Sequence, residues 1–405
     1  MRILYLTQRL PFGKGEAFVI PEVEALLARG HEMLIVPRLS ADPVVHDDVD
    51  ALVRRTRVLP RPLGVVRAVV RMLVRRPLRT LRAFWRLRRT RPLRRAYSNT
   101  IATAQGTWVA SLARAWGADH IHAHWAHLPA TMAMAASALS GIPWSFTAHR
   151  HDVMLNNLLG DKLRSARFGR FIARRMLEHA QPLVGVDALA RATVLHMGVP
   201  LPALPAGEPP VHATPVVLCP GRLVPVKGQR YLIEAAAMLR GRGVPFQLLL
   251  AGDGPDEEAI ARQVEELGLG DCVRMPGMVP HAELLRLYRE RAVDCVALPS
   301  LDLGEGVHEG ISVALIEAMG YGVPVISTST GGLAELLDGG AGLTVPPADA
   351  SALAAALERL LTSRSLRLDL GQRGRRRVEE EFDVARVADE LTRRFAEGVP
   401  GSGDA

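Results

Sequence analysis

The chain is expected to fold as two α/β domains, and three observations lead there. Its 405 residues are more than one compact α/β unit needs but enough for two, each with its own core. Short runs rich in Ile, Leu and Val alternate with longer stretches of helical periodicity, the pattern of βαβ units around a parallel sheet. Between two such sets lies VPLPALPAGEPPVHATP, Val199 to Pro215, whose six prolines and single glycine favour a linker over regular structure.

In the first half the expected strands are Arg2 to Thr7, Met33 to Pro37, His120 to His124, Trp144 to Ala148 and Pro182 to Val186, with helices at about 17 to 29, 128 to 140 and 161 to 180. In the second half they are Pro215 to Pro220, Phe246 to Ala251, Cys272 to Met275, Asp294 to Leu298, Pro324 to Ser327 and Gly342 to Val345, with helices between. The domain boundary is placed near residue 205. That makes 1–204 the first domain, 205–382 the second, and 383–405 a terminal helix and tail free to return to the first.

Composition excludes several classes. The chain is 48% hydrophobic and 23% charged, ordinary for a globular protein, and no apolar run approaches the ~20 residues that span a bilayer. The start, MRILYLTQRLPFGKGE, lacks the apolar length and cleavage site of a secretory signal, so a cytoplasmic location is expected. Cys219, Cys272 and Cys295 stand singly in apolar surroundings with no C-x-x-C spacing, which predicts core thiols and no structural zinc. The net charge of +8 is uneven, since no acid occurs between Asp50 and Asp119 while arginines crowd that interval. Such a block points to one anionic surface, a membrane leaflet or an acidic polymer. No nucleic-acid-binding module surrounds it, so nucleic acid is not an expected partner.

Within the block, VVRAVVRMLVRR sets Arg67, Arg71 and Arg75 at four-residue spacing among Val, Met and Leu. After Pro77, LRTLRAFWRL sets Leu78, Leu81, Phe84, Trp85 and Leu87 against Arg79, Arg82 and Arg86. These are basic amphipathic helices with an aromatic residue suited to lipid headgroups. Arg71, Arg75, Arg79, Arg82 and Trp85 are therefore candidates for docking on an anionic membrane, against the plainer reading of a solvated helix packed on its domain.

Ligands of parallel sheets bind beyond the carboxyl ends of the strands, where helix N-termini offer unpaired N–H groups. After the first strand comes QRLPFGKGE, with Gly13, Gly15 and Glu16, a short loop that equally fits a tight βα turn. The strand from Pro215 runs into GRLVPVKG, placing Arg222 and Lys227 on one loop. A planar fork and a compact ammonium suit a diphosphate and the charge that grows on it as a leaving group. The next strand ends in AGDGP, where Gly252 and Gly254 clear space before a helix. A third loop reads EGISVALIE, with Glu309 and Glu317 eight residues apart and the second inside a helix beginning near Ser312. That spacing is just over two helical turns, so both acids can lie along one face and accept bonds from sugar or ribose hydroxyls.

In their order and spacing, GR…KG, GDGP and EGISVALIEAMGYGVPVISTSTGG resemble the donor site of family 4 of the GT-B glycosyltransferases. PFGKGEAFVIPEVEALLARGHEM is similar to the start of the exopolysaccharide members, and the FTAHRHD segment at Phe146 to Asp152 to theirs. The resemblance covers nearly the whole chain. It implies a GT-B fold, two Rossmann-like domains facing each other across a cleft, and metal-independent, retaining transfer of a hexosyl group from a nucleoside diphosphate sugar. It assigns Arg222 and Lys227 to the diphosphate, Glu309 to the donor sugar and Glu317 to the ribose, with Gly310, Ile311 and Ser312 also among the donor-binding residues. Gly252 and Gly254 would border the nucleoside, and His149 would face the reacting sugar. The implied acceptor is a saccharide or lipid-linked saccharide in exopolysaccharide or cell-surface glycan synthesis, and the basic segment would hold the enzyme peripherally on the inner face of the membrane. No cofactor is implied. The alternatives on this architecture are a nucleotide-sugar epimerase and a non-catalytic sugar-binding protein.

Seven histidines, His120, His122, His124, His127, His149, His151 and His179, lie near one another along the chain. The first three alternate as on a strand and point to one face, a spacing that suits a metal in principle. Carboxylate or cysteine partners for a closed site are not apparent, so packing and hydrogen bonding are expected of them and no metal.

Overall fold

A computed structural model describes residues 1–13, 15–44, 49–85, 87, 90–304 and 307–397. It divides into two compact units, Met1–Met197 with Ala385–Ala405, and Gly198–Val384. Lys14 of the first loop and Arg86 of the basic segment lie outside the described residues.

In the first unit six strands form one parallel sheet: β1 (Arg2–Thr7), β2 (Glu32–Pro37), β3 (His120–His124), β4 (Trp144–Ala148), β5 (Gly169–Phe171) and β6 (Ala192–Val194). Their order is β2-β1-β3-β4-β5-β6, so the winding reverses between β1 and β3. The second unit has β7 (Val216–Pro220), β8 (Gln247–Ala251), β9 (Val273–Gly277), β10 (Cys295–Leu298), β11 (Val325–Thr328) and β12 (Leu343–Val345). All are parallel, in the order β12-β11-β10-β7-β8-β9. This is the doubly wound arrangement, and its reversal falls between β7 and β10. Strands such as VVLCP and CVAL are buried on both faces, which explains their unbroken apolar character.

Two expectations fail in the first unit. Pro182 to Val186 is not a strand; it lies in the helices Arg174–Val184 and Val186–Leu189. Buried Met176 and Ala180, four residues apart, continue a helical face that overrides the short apolar run. The single helix expected over 161 to 180 is divided by β5, whose central Arg170 is fully buried. An arginine at the centre of a three-residue strand gives no apolar signal.

The units part between Met197 and Gly198, upstream of the proline-rich interval. Val199 pairs there with the returning chain, its N–H bonded to the Phe382 carbonyl at 2.8 Å and its own carbonyl to Val384 N at 3.0 Å. The last helix, Val384–Ala396, packs within the first unit. Val387, Ala388, Leu391 and Phe395 join Ile3, Tyr5 and Ile35 in one core, and Arg29 and His31 bond Asp389 and Thr392 at 2.6 and 2.8 Å.

The basic segment forms the helices Pro62–Arg75 and Pro77–Trp85, lying before a long helix, Leu93–Trp116. The first two bury small or slender residues, Ala68, Met72, Thr80 and Ala83. Their larger apolar side chains face outward: Leu63, Val66, Val70 and Val74 are 54% to 78% exposed, and Leu78, Leu81 and Trp85 58% to 69%. Arg67, Arg71, Arg75, Arg79 and Arg82 share that exposed surface. Among the described residues, no helix is long and apolar enough to cross a membrane.

Candidate functional site

In the second unit three loops meet where the winding reverses. Gly221 leaves β7 at φ +137°, and Gly228, at φ +68°, closes a short 3-10 turn, Pro225–Lys227, before the helix Gln229–Gly241. The GDGP loop lies directly on this one: Gly221 N bonds the Ala251 carbonyl at 2.9 Å and Leu223 N the Asp253 carbonyl at 2.7 Å. A Cβ on Gly252 would stand 2.0 Å from the Gly221 oxygen, and one on Gly254 2.2 Å from that of Leu223. Both glycines are thus required by backbone contact between loops, a reason more specific than clearing room for a ligand.

The loop after β10 completes the set. Lys227 Nζ lies 2.9 Å from Glu309 Oε2, with both side chains more than four-fifths buried. The Glu309 backbone is fixed by close approach to Gly331, where a Cβ would come within 1.8 Å of its oxygen. Glu309 precedes the helix Val313–Gly320, whose N-cap is buried Ser312. The eight-residue spacing is therefore not two turns of one helix. Glu317 does lie in that helix and holds His281 Nε2 at 2.8 Å. Arg222 is exposed on its loop, its carbonyl accepting from the Gln229 amide at 2.9 Å. Gly310 has open space around it, and Ile311 packs against Gly332.

A cavity of about 490 Å³ lies at the other end of this sheet, ahead of β10 and β11. Its Arg291, Arg364 and Arg375 bond the carbonyls of Pro205, Pro209 and Pro202. These arginines tie down the proline-rich interval and are spent on it.

In the first unit the loops after β1, β3 and β4 converge. Glu16, 3% exposed, does not face a ligand: it accepts from the backbone N–H groups of Gln8, Arg9 and Leu10 and from the Trp125 indole. It thereby sets the shape of the Gly13 loop. Gly13, at φ +69°, needs its glycine, whereas a Cβ on Gly15 would meet nothing. His149 caps the helix Arg150–Leu155 in a capping box with Asp152, whose Oδ2 accepts from His149 N and Ala126 N, each at 3.0 Å. Burial pushes the Asp152 carboxyl up to about 6 against those two bonds. His149 Nε2 lies 3.0 Å from His124 Nε2, and its ring lies 4.3 Å from that of Trp125, tilted by 33°. Burial first, then the neighbouring His124, holds its imidazole well below the ordinary histidine range, so it is uncharged at neutral pH.

Behind His149 stands a polar layer the sequence reading missed. His124 Nδ1 is 2.8 Å from the Tyr5 hydroxyl, which donates to Glu22 at 2.7 Å, and Glu22 takes the Arg170 guanidinium on its other oxygen. Burial opposes the Glu22 charge, but the Arg170 guanidinium outweighs it and holds the carboxyl well below its usual range. Glu22 sits in an otherwise amphipathic helix, Ile20–Ala28, where an acid reads as solvent-facing, and Arg170 sits in the strand that was not foreseen.

Glu22, His122 and His124 bring possible metal-ligand atoms within 4.8 Å of one another. Yet both nitrogens of His122 bond Ser145 and Thr147, at 2.8 and 3.1 Å, and both of His124 bond Tyr5 and His149. The cluster is already saturated by protein, so it does not fit a metal. His120 bonds Ser145 at 2.7 Å, while His151 lies exposed. His179 lies in the helix Arg174–Val184.

The family model described as Glycosyl transferases group 1 matches residues 204–377, which contain every loop of the second unit's site. Residues 204–377 belong to the glycosyl transferases group 1 family. The glycosyl transferases group 1 domain has relatives among bacterial polysaccharide proteins. An Escherichia coli protein named for a colanic acid biosynthesis glycosyltransferase, WcaL, is 35% identical over 207 residues, 50% of each chain. The amylovoran biosynthesis glycosyltransferase AmsK of Erwinia amylovora is 36% identical over 174 residues, 43% of this chain and 42% of its own. The chain spans about half the length of these curated relatives. Among solved structures, Anabaena HepE in complex with UDP matches with a TM-score of 0.69 at 17% identity, over 98% of this chain and 100% of that one. The fold is accordingly GT-B, built from two Rossmann-like domains.

Proposed function

We propose that the chain is a retaining glycosyltransferase that moves a hexosyl group from a nucleoside diphosphate sugar to a saccharide or lipid-linked saccharide, in exopolysaccharide synthesis. The observation that carries this reading is the Lys227–Glu309 pair at the winding reversal of the second sheet, on a domain of the glycosyl transferases group 1 family. An incoming diphosphate takes over Lys227 and adds Arg222, while Glu309 is released to accept sugar hydroxyls. Glu317 accepts from the ribose, and His149 orients the reacting sugar. In place of the paired acids of two-carboxylate glycosidases, the leaving diphosphate itself receives the acceptor proton on the face it departs from, which retains configuration. No metal takes part.

The arginine segment, in the same reading, seats the enzyme on an anionic leaflet. Its exposed Val, Leu and Trp side chains enter the headgroup layer while the flanking arginines meet lipid phosphates.

Melting temperatures with UDP, GDP and ADP test the donor site, because a ligand of the folded state raises the melting point. One of the three is expected to stabilise the wild type, and Arg222→Ala or Lys227→Ala to abolish that shift and cut turnover by ~10²-fold. Near-normal turnover in both folded variants would sink the assignment.

A further inference from the structure

The chain of groups behind His149 has a direction that the chemistry of its members decides. Glu22, bonded to Arg170, is an acceptor only, and a phenol has one proton to give. Tyr5 spends that proton on Glu22 at 2.7 Å, so its oxygen is left to accept from His124 Nδ1 at 2.8 Å. A His124 whose single ring proton sits on Nδ1 has a lone pair on Nε2. Two lone pairs cannot face each other at 3.0 Å, so the proton between the rings belongs to His149 Nε2. His149 Nδ1 is then a lone pair, and the backbone beneath the ring is held by the bond from His149 N to Asp152 Oδ2 at 3.0 Å. The His149 carbonyl is also occupied, accepting from Asp152 N and Val153 N at 3.0 and 3.3 Å. The order of bonds is consistent from one end to the other.

We propose that Glu22, Tyr5 and His124 are positioning residues that lock His149 in its Nε2–H tautomer, so that it meets a bound sugar as a fixed ring and not as a proton carrier. The meeting with sugar rests on the function proposed above; the lock does not. The Nε2, backbone N–H and carbonyl of His149 are all bonded within its own unit. Phe18, at 5.5 Å edge-on, and Trp125 hold the ring from the sides. The layer is closed to solvent, with Tyr5, Glu22, His124 and Arg170 fully buried and His149 8% exposed. A second-layer carboxylate fixes an imidazole tautomer in the same way at metal and catalytic sites.

The test uses the full chain labelled with 15N-histidine, without donor or acceptor. Long-range proton–nitrogen spectra distinguish protonated from unprotonated ring nitrogens, and loss of signals in His149→Gln and His124→Gln assigns them. The wild type is expected to show His149 protonated on Nε2 alone and His124 on Nδ1 alone. A His149 protonated on Nδ1, or charged between about pH 6 and 8, overturns the proposal. Glu22→Gln should reverse the chain: its oxygen stays with Arg170, its amide donates to Tyr5, Tyr5 donates to His124, and His124 Nε2–H donates to His149. A folded Glu22→Gln with the wild-type tautomer also overturns it. If that variant does not fold, the wild-type pattern alone decides. An enzyme with no sugar transfer but with the expected spectra leaves the lock standing and removes the proposed function, so the two failures can be told apart.

Discussion

The ammonium of Lys227 lies 2.9 Å from the carboxylate of Glu309, so the cation expected to meet a diphosphate and the acid expected to meet a sugar are bonded to each other. An anion entering this loop must compete with Glu309 for Lys227. Replacing Glu309 by Gln removes the competitor and keeps the cation. Glu309→Gln is therefore expected to bind a nucleoside diphosphate as tightly as the wild type or up to about tenfold more tightly, while turnover falls by ~10²-fold. Calorimetric titration beside an activity assay separates the two effects, and weaker nucleotide binding in this variant contradicts the competition.

The GDGP loop predicts a backbone effect. Gly252→Ala places a methyl where the Gly221 oxygen stands 2.0 Å away, and Gly254→Ala does the same against Leu223 at 2.2 Å. Neither obstacle is a side chain that can turn aside. Each variant should lose ~1–3 kcal/mol of stability or shift the Arg222 loop and lose nucleoside diphosphate affinity. Denaturant midpoints and nucleotide titrations will show which, and an unchanged value of both for either variant would count against the packing described.

The contact of His281 with Glu317 makes a pH-dependent contribution. The Glu317 hydrogen bond raises the His281 pKa, burial opposes it, and the carboxylate charge adds to the rise. The folded protein then holds the proton more tightly than the unfolded chain. The stabilisation is complete below the unfolded value of about 6.5 and is lost as pH climbs through the folded value. The melting temperature of the wild type should exceed that of His281→Gln by more at about pH 5.5 than at about pH 8.5. A difference independent of pH rules this out.

The outward apolar ridge of the basic helices should be visible in sedimentation. Wild-type protein is expected to sediment with vesicles containing anionic lipid at low salt, not with neutral vesicles, and to be released as salt rises. Changing Arg71, Arg75, Arg79 and Arg82 to Gln should remove most of the bound fraction, and Trp85→Ala part of it. Equal binding by the quadruple variant would refute docking through this segment.

What could be read beforehand follows from which forces leave a trace in sequence. Strands buried on both faces, such as Cys295–Leu298, announce themselves as apolar runs, and the loops after them hold Arg222, Lys227, Gly252 and Glu309 at fixed distances along the chain. What was hidden depends on partners far away in the chain. Glu22 and Arg170 are separated by 148 residues, and each alone looks like a surface charge; only their pairing makes the burial of both tolerable. Pro182 misled in the opposite sense, since it marks a break locally yet sits within the helix Arg174–Val184.

The packing of Val384–Ala396 in the first unit bears on how the chain is made. Phe395 lies 4.8 Å from His120 and 5.9 Å from Phe168, so a side chain that follows unit two along the chain completes a core that precedes it. The strands of unit one thus emerge from the ribosome before unit two but wait, with part of their core uncovered, until the whole of unit two has been translated. Fragments ending before Val384 should accordingly be aggregation-prone.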